Sequence, residues 1–252
     1  MNVSEKYKLV VIESLYDCLE SDLVKRFFTK ILETRKLGYS KVHRSNYLPF
    51  GTEDFFGSHL AICKKVNNEW LPVCVSKVVK MSECERFNVD FPVIAQMKGH
   101  YTDMYRAHVK REINNSYKNF GECAYTGGFT INKELLDSKE EIILVREMWV
   151  GALVIYHEHR NIKAAYSFTA INVHTLDLNC KWGGGPIEFN GEYEVESTCG
   201  ANQPVTPSFI NVDSNNVPSS SLDIMGQCKF LWENRLDNRE ELREEVGESL
   251  AA

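Results

Sequence analysis

The sequence predicts an α/β fold in which helices flank a twisted, mixed sheet. Three observations predict it. Apolar residues recur at helical spacing over 20–37 and again over 138–160. Two β-rich runs, His59–Lys65 and Leu71–Val79, are separated by Asn67-Asn68, a turn signal. Further β-rich runs then alternate with helical ones. Helix, two antiparallel strands, helix, strand, helix, strand requires mixed rather than purely parallel pairing.

In chain order, Leu23, Phe27, Phe28, Ile31 and Leu32 line one face of the 20–37 helix. Ser21 or Asp22 can cap its start, and Gly38 can stop it. Residues 39–54 are polar, carry Pro49 and Gly51, and read as a long loop. The second strand of the hairpin is rich in β-branched residues at Val73, Val75, Val78 and Val79. Residues 100–118 read as a helix with Tyr101, Met104, Tyr105, His108 and Ile113 on one side. Cys123–Ile131 reads as a strand, and Gly127-Gly128 inside it signals a bulge or a close backbone approach. The 138–160 helix carries Ile142, Val145, Met148, Trp149, Ala152, Leu153 and Tyr156 on its apolar face. Ser138 and Glu141 form a capping-box pattern, and His157, His159 and Arg160 place positive charge in the last turn. Strands are expected at Ile162–Val173, 187–196 and 205–212, with Trp182–Pro186 a sharp turn. Residues 213–221 read as a loop and 228–247 as a charged amphipathic helix. No linker splits the chain, so 1–252 is expected to be one domain ending in that loop and helix, 213–252.

The 252 residues are 43% hydrophobic and 25% charged, enough to bury a core without staples. A net charge of −6 argues against a nucleic-acid partner, which would need a basic stripe. The eight cysteines form no C-x-x-C pair and read as small buried hydrophobes. The N-terminus has acidic residues within its apolar stretch and is not a secretory signal. No run approaches the roughly 18 apolar residues of a membrane span. A cytoplasmic protein is expected. His157 and His159 are two apart and point away from each other on a helix, so no metal is expected there.

The element order resembles the GNAT acyltransferases, and particular residues add to the likeness. The stretch from Arg26 to Ile62, RFFTKILETRKLGYSKVHRSNYLPFGTEDFFGSHLAI, resembles the opening of acyl-homoserine lactone synthases and N-acyl amino acid synthases. Arg35 and Tyr39 match an arginine before an aromatic residue at a helix end. Glu53 and Asp54 match the acidic loop leading into the first strand. Glu85–Pro92, ERFNVDFP, resembles the piece after the second strand, and Glu122 falls where the family places a central-strand glutamate. Departures are specific. Gly57 stands where lactone synthases carry a second aspartate, Lys77 replaces a strand arginine, and Tyr125 replaces the arginine after the glutamate. These speak against lactone formation and its S-adenosylmethionine substrate. The family's pyrophosphate loop is missing before residue 138, where the chain reads NKELLDSKEE.

The resemblance implies transfer of an acyl group to the amine of a small acceptor such as an amino acid. The donor would be an acyl thioester on acyl-carrier protein or coenzyme A, with no permanently bound cofactor. Such chemistry needs a base for the amine, N–H groups for the developing oxyanion, and a strand edge for the pantetheine arm. Glu122 is the expected base. The main chain at Tyr125, Gly127, Gly128, Phe129 and Ile131 is expected to hold the donor. A zwitterionic acceptor needs a guanidinium and a carboxylate close together, and Arg35, Glu53 and Asp54 are expected to supply them. Two other readings stand beside this one. One is a GNAT-like binding or regulatory protein without transfer activity. The other is a Cys123 nucleophile served by His59 or His174.

Overall fold

A computed structural model of the chain describes residues 3–41, 48, 50–172, 174–197 and 203–237. In order, the elements are α1 (Val3–Lys6), β1 (Tyr7–Ile12), α2 (Asp22–Ser40), α3 (Glu53–Phe56), β2 (Ser58–Val66) and β3 (Glu69–Lys80). Then come α4 (Met81–Arg86), α5 (Pro92–Met97), α6 (Asp103–Phe120), β4 (Ala124–Ile131), α7 (Lys139–His159) and β5 (Ala165–Ala170). The rest are α8 (Thr175–Lys181), β6 (Gly185–Pro186), β7 (Glu196–Ser197), β8 (Pro204–Ile210), α9 (Leu222–Glu233) and β9 (Leu236–Asp237). The expected α/β class, with mixed strand pairing and flanking helices, is what the chain forms. It divides into two compact units: Met1–Val78 with Gly128–Leu153 and Ser221–Ala252, and Val79–Gly127 with Val154–Ser220. β3, β4 and α7 each run from one unit into the other.

In the first unit, β1 pairs antiparallel with β2 along its whole length, from Tyr7 opposite Lys64 to Ile12 opposite His59. β2 and β3 form the expected hairpin, and Asn67 and Asn68 take positive φ at its turn. Two left-handed residues match the right-handed twist of the strands they join. β9 runs parallel to β1 at Val10–Leu236. α2 lays Val24, Phe27, Phe28 and Ile31 on Val10, Ala61, Cys63 and Val75. Burying side chains of this size stabilises the unit by about 1.5–3 kcal/mol each. Ser21 caps α2 by accepting from the Val24 N–H at 3.3 Å.

Gly38 does not stop α2, which continues to Ser40. The glycine instead faces Thr130, where any side chain would collide, so its smallness serves a close approach within the helix. The same unit holds Lys139–Leu153 of α7, whose Val145, Met148, Trp149, Ala152 and Leu153 are buried. Trp149 donates from Nε1 to Ser76 Oγ at 2.8 Å and lies 4.0 Å from the Phe129 ring, centroid to centroid. Gly151 lets α9 approach. A Cβ there would fall 2.6 Å from Cys228 Sγ, and that thiol donates to the Met148 carbonyl at 3.3 Å.

In the second unit, β5 pairs parallel with β4 at Ala124–Ala165 and, along its whole length, antiparallel with β8 from Val205 to Ile210, while β6 and β7 also pair with β8. α6 buries Tyr105, Val109 and Ile113 and ends at Gly121, whose φ of 77° is the left-handed cap glycine favours. Tyr101 and Tyr105 donate to the carbonyls of Val205 (2.8 Å) and Ile187 (2.6 Å). Met104, expected on that face, is exposed.

Several expected boundaries change. The strand expected over 187–196 shrinks to β7, because Asn190 and Gly191 both take positive φ and turn Phe189 back onto Glu192. α8 forms just before the expected Trp182 turn, and β6 takes up its end. The helix expected over 228–247 is α9, which starts at Leu222 and ends at Glu233. Leu236 is buried beside β1, which makes 236–237 a strand rather than helix. Residues 238–252 lie outside the described part. So do residues 42–47 and 49 of the expected 39–54 loop, within which Glu53–Phe56 begins a one-turn helix. Of the three residues expected to place positive charge at the end of α7, His157 is wholly buried, and neither of its ring nitrogens has a hydrogen-bond partner. Burial pushes it down to about 3, so it carries no charge for the dipole.

Candidate functional site

Within the first unit, α2, α3, β2 and β3 bring five polar side chains together. Asp54 is the centre. Its Oδ1 accepts from Arg35 Nη1, and its Oδ2 accepts from Lys77 Nζ at 2.7 Å and from the Gly51 N–H at 2.9 Å. Lys77 also reaches Glu53 Oε1 at 2.9 Å. His59 stands opposite Lys77 in the β2–β3 register. Its Nε2 lies 2.7 Å from the Asp54 carbonyl and its Nδ1 lies 3.1 Å from Arg35 Nη2. Arg35, Asp54 and His59 are 0% exposed and Lys77 3%, whereas the Glu53 side chain keeps 27% of its surface.

The electrostatics follow from that burial. Burial opposes ionisation of Asp54, but Lys77 and then Arg35 outweigh it and hold the carboxyl below its ordinary range. Burial first, and the Arg35 charge second, push His59 down to about 3. Two cations face two carboxylates, so the cluster closes to neutrality without the histidine. Two features of Arg35 stand out. Its Nε is buried without a hydrogen-bond partner. Gly128, at φ 64°, lies so close that a Cβ there would fall 3.1 Å from the guanidinium carbon.

Glu122, in the second unit, precedes β4. Its carboxylate accepts from Ser82 Oγ at 2.5 Å, the Ser82 N–H at 3.3 Å and the Cys123 N–H at 3.1 Å. It therefore caps the first turn of α4, a structural task beside any catalytic one. Burial, then Glu122, pushes the Cys123 thiol up to about 12, far from the thiolate a nucleophile needs. Both ring nitrogens of His59 are committed as described, and His174 is an exposed partner of Asp177 at 2.7 Å. No poised Cys–His couple is formed by these groups.

The expected donor segment has two halves. In the second unit, the Tyr125 ring lies over Gly127, where a Cβ would stand, and its hydroxyl accepts from Gln96 Nε2 at 3.3 Å. In the first unit, Gly128 lies against Arg35, Phe129 stacks on Trp149, and Ile131 precedes Asn132, whose N–H donates to the Val73 carbonyl at 2.9 Å. The start of α7 is filled by its own chain. Glu141 accepts from Tyr7, Lys6 at 2.8 Å, Lys64 at 3.2 Å and the Asp137 N–H at 2.5 Å, while its own N–H donates to Ser138 Oγ at 3.1 Å. Burial opposes the charge on Glu141, yet Lys6 and Tyr7 lead the bonds that hold it at about 2.

Among solved structures, the chain is similar to acyl-homoserine lactone synthases. The coenzyme A-dependent synthase MesI aligns with 87% of this chain and 95% of its own, at 11% identity and a TM-score of 0.49. The coenzyme A-dependent synthase BjaI, solved with MTA, aligns with 98% of this chain and 100% of its own, at 9% identity and 0.46. FeeM, an N-acyl amino acid synthase from uncultured soil microbes, aligns with 86% of this chain and 97% of its own, at 8% identity and 0.44. No family profile matches the chain, and no curated protein sequence does.

Of the residues expected at the acceptor end, Arg35, Glu53 and Asp54 fall in one cluster. Lys77 and His59 join it unannounced. An ionisable residue inside the β-branched 71–79 run was a legible signal for Lys77. His59 had none, since its role depends on a cross-strand register.

Proposed function

We propose that the chain is an N-acyltransferase that moves an acyl group from a thioester to the amine of a small acceptor. The observation that carries this reading is the closed, charge-balanced cluster in which Glu53 alone keeps solvent-facing surface. A zwitterionic amino acid suits it: the ammonium meets Glu53, and the carboxylate would have to displace the groups covering Arg35 to reach its unpartnered Nε, with Asp54 holding the arginine in place. The amine nitrogen forms its bond to the thioester carbonyl carbon as the carbon–sulfur bond breaks. An ammonium sheds two protons on becoming an amide: one leaves to water before attack, freeing the nitrogen lone pair, and the second passes to Glu122 and then to the departing thiolate. Glu122 already accepts from three donors, which leaves lone-pair capacity for one more proton. Main-chain N–H groups at Tyr125, Gly127, Gly128, Phe129 and Ile131 hold the donor arm and its developing oxyanion.

Acyl-carrier protein is the favoured donor carrier. A nucleotide pyrophosphate would seek the N-terminus of a helix such as α7, and Glu141, paired with Lys6 and Lys64, already occupies that end. The reading treats residues 1–252 as one cytoplasmic acyltransferase domain. Among the described residues, no helix is long and apolar enough to cross a membrane.

A binding or regulatory protein without transfer activity is the second reading, favoured by the capping task of Glu122 and the saturation of Asp54. One experiment separates them. The purified chain is given acyl-carrier protein or coenzyme A thioesters with a pool of amino acids and amines, and acyl amides are sought by mass spectrometry. An amide that forms, and whose rate falls about 10²–10⁴-fold in Glu122→Gln, supports the enzyme. No amide with either donor supports the binding protein.

A further inference from the structure

His59 is wholly buried within the charge cluster, and its contacts decide its protonation by elimination. A carbonyl oxygen only accepts, so the 2.7 Å contact with the Asp54 carbonyl places the ring proton on Nε2. A guanidinium only donates, so the 3.1 Å contact with Arg35 Nη2 requires a bare lone pair on Nδ1. Both contacts select the same neutral tautomer.

We propose that His59 is a positioning residue: a neutral, Nε2-protonated imidazole that fixes the orientation of the Arg35 guanidinium. The proposal rests on the reading of Arg35 as an acceptor-binding group. Asp54 Oδ1 alone would let the fork pivot about Nη1. His59 supplies the second point, on Nη2. The orientation so fixed leaves Nε as the guanidinium nitrogen without a partner, beside Gly128. The groups that act on the ring are Arg35 from α2, Asp54 from α3 and Lys77 from β3. Phe28, also from α2, meets it edge-on with ring centroids 4.8 Å apart. A second proton on the ring would oppose two cations in a dry site and would break the bond to Arg35.

The test uses the full chain labelled with ¹⁵N-histidine, with His59 assigned by the signal lost in His59→Asn. Followed by NMR from pH 8 to pH 5, His59 is expected to keep Nε2 protonated and Nδ1 bare. A proton on Nδ1, or a ring that titrates in that window, overturns the proposal. Two variants divide the ring's tasks. His59→Asn keeps an acceptor near the Nδ1 position, and His59→Gln keeps a donor near Nε2 but offers nothing to Arg35. His59→Gln is expected to raise the acceptor KM about tenfold with kcat within about threefold, as loss of one bond to a charged group implies, and His59→Asn to raise it several-fold less. Equal KM in the two variants, or a loss confined to kcat, overturns it. Should His59→Gln fail to fold, the NMR result decides. A chain that transfers no acyl group removes the acyltransferase reading while NMR still judges the tautomer. A wrong tautomer in a chain that does transfer removes this proposal alone.

Discussion

Two clusters in the first unit use the same ingredients to different ends. Around Asp54, two carboxylates meet an arginine and a lysine. Around Glu141, two carboxylates meet two lysines and a tyrosine. The Glu141 cluster is open at its rim, where the Asp137 side chain is 73% exposed, and its centre, Glu141, is tied into the start of α7 through the Asp137 N–H and Ser138. The Asp54 cluster is closed, and yet it keeps an unpartnered donor on Arg35 and an ionisable ring held neutral. A fold needs the first kind to finish a helix. The second kind goes beyond what finishing a helix needs, which is why the acceptor site is proposed there.

The largest effect that can break this comparison comes from deleting each central carboxylate. Asp54→Ala leaves Arg35 buried without its counter-ion and is expected to cost about 3–5 kcal/mol, seen as a fall in chemical-denaturation midpoint. Glu141→Ala leaves Lys64 with Asp137 and water, and is expected to cost about 1–3 kcal/mol. Equal losses would erase the distinction between closed and open clusters.

Acid sharpens it next. His59 and His157 both have folded values near 3, below the 6.5 of an unfolded ring. A ring kept neutral contributes stability that is fully present above about pH 6.5 and is lost as pH falls towards the folded value. Each ring should thus remove about 2 kcal/mol between pH 6.5 and pH 5. Glu141, at about 2 against 4.5, adds its loss only below about pH 4.5. Stability measured against pH should therefore bend near 6.5. His157→Leu, which also removes two unpartnered buried nitrogens, should flatten part of that bend and leave stability at pH 8 unchanged or higher. A parent profile that stays flat down to pH 5 would contradict both buried rings.

The smallest effect is expected at Glu53, the member of the Asp54 cluster that keeps solvent-facing surface. Glu53→Gln removes a half-buried charge, so stability should move by less than about 1 kcal/mol. If the amine meets Glu53, the acceptor KM should rise about tenfold with kcat little changed. An unchanged KM would move the ammonium elsewhere.

What could be read from the sequence was local. The apolar stripe of α2, the face of α7 and the Asn67-Asn68 turn declare themselves within a few residues. β1 did not, because its apolar residues carry no alternation when nearly all are buried. Charged periodicity continues past the end of α9 at Glu233, but burial of Leu236 beside β1 decides for a strand there. At the site, Arg35, Glu53 and Asp54 were reached through a resemblance, and geometry then placed Lys77 and His59 beside them. Lys77 shows in the sequence as a charge inside the β-branched 71–79 run, but the register that sets His59 opposite it is displayed by no window of sequence.

The crossing of α7 and α9 at Gly151 has a chemical consequence. Cys228 Sγ is wholly covered there, whereas Cys180 is exposed. A thiol reagent should reach the exposed Cys180 first and the half-buried Cys18 next, and should wait for Cys228 until α9 lifts from the groove that the missing side chain creates. The delay of modification at Cys228 itself, read by peptide mapping, becomes a clock for how often the last described helix of the chain leaves its seat.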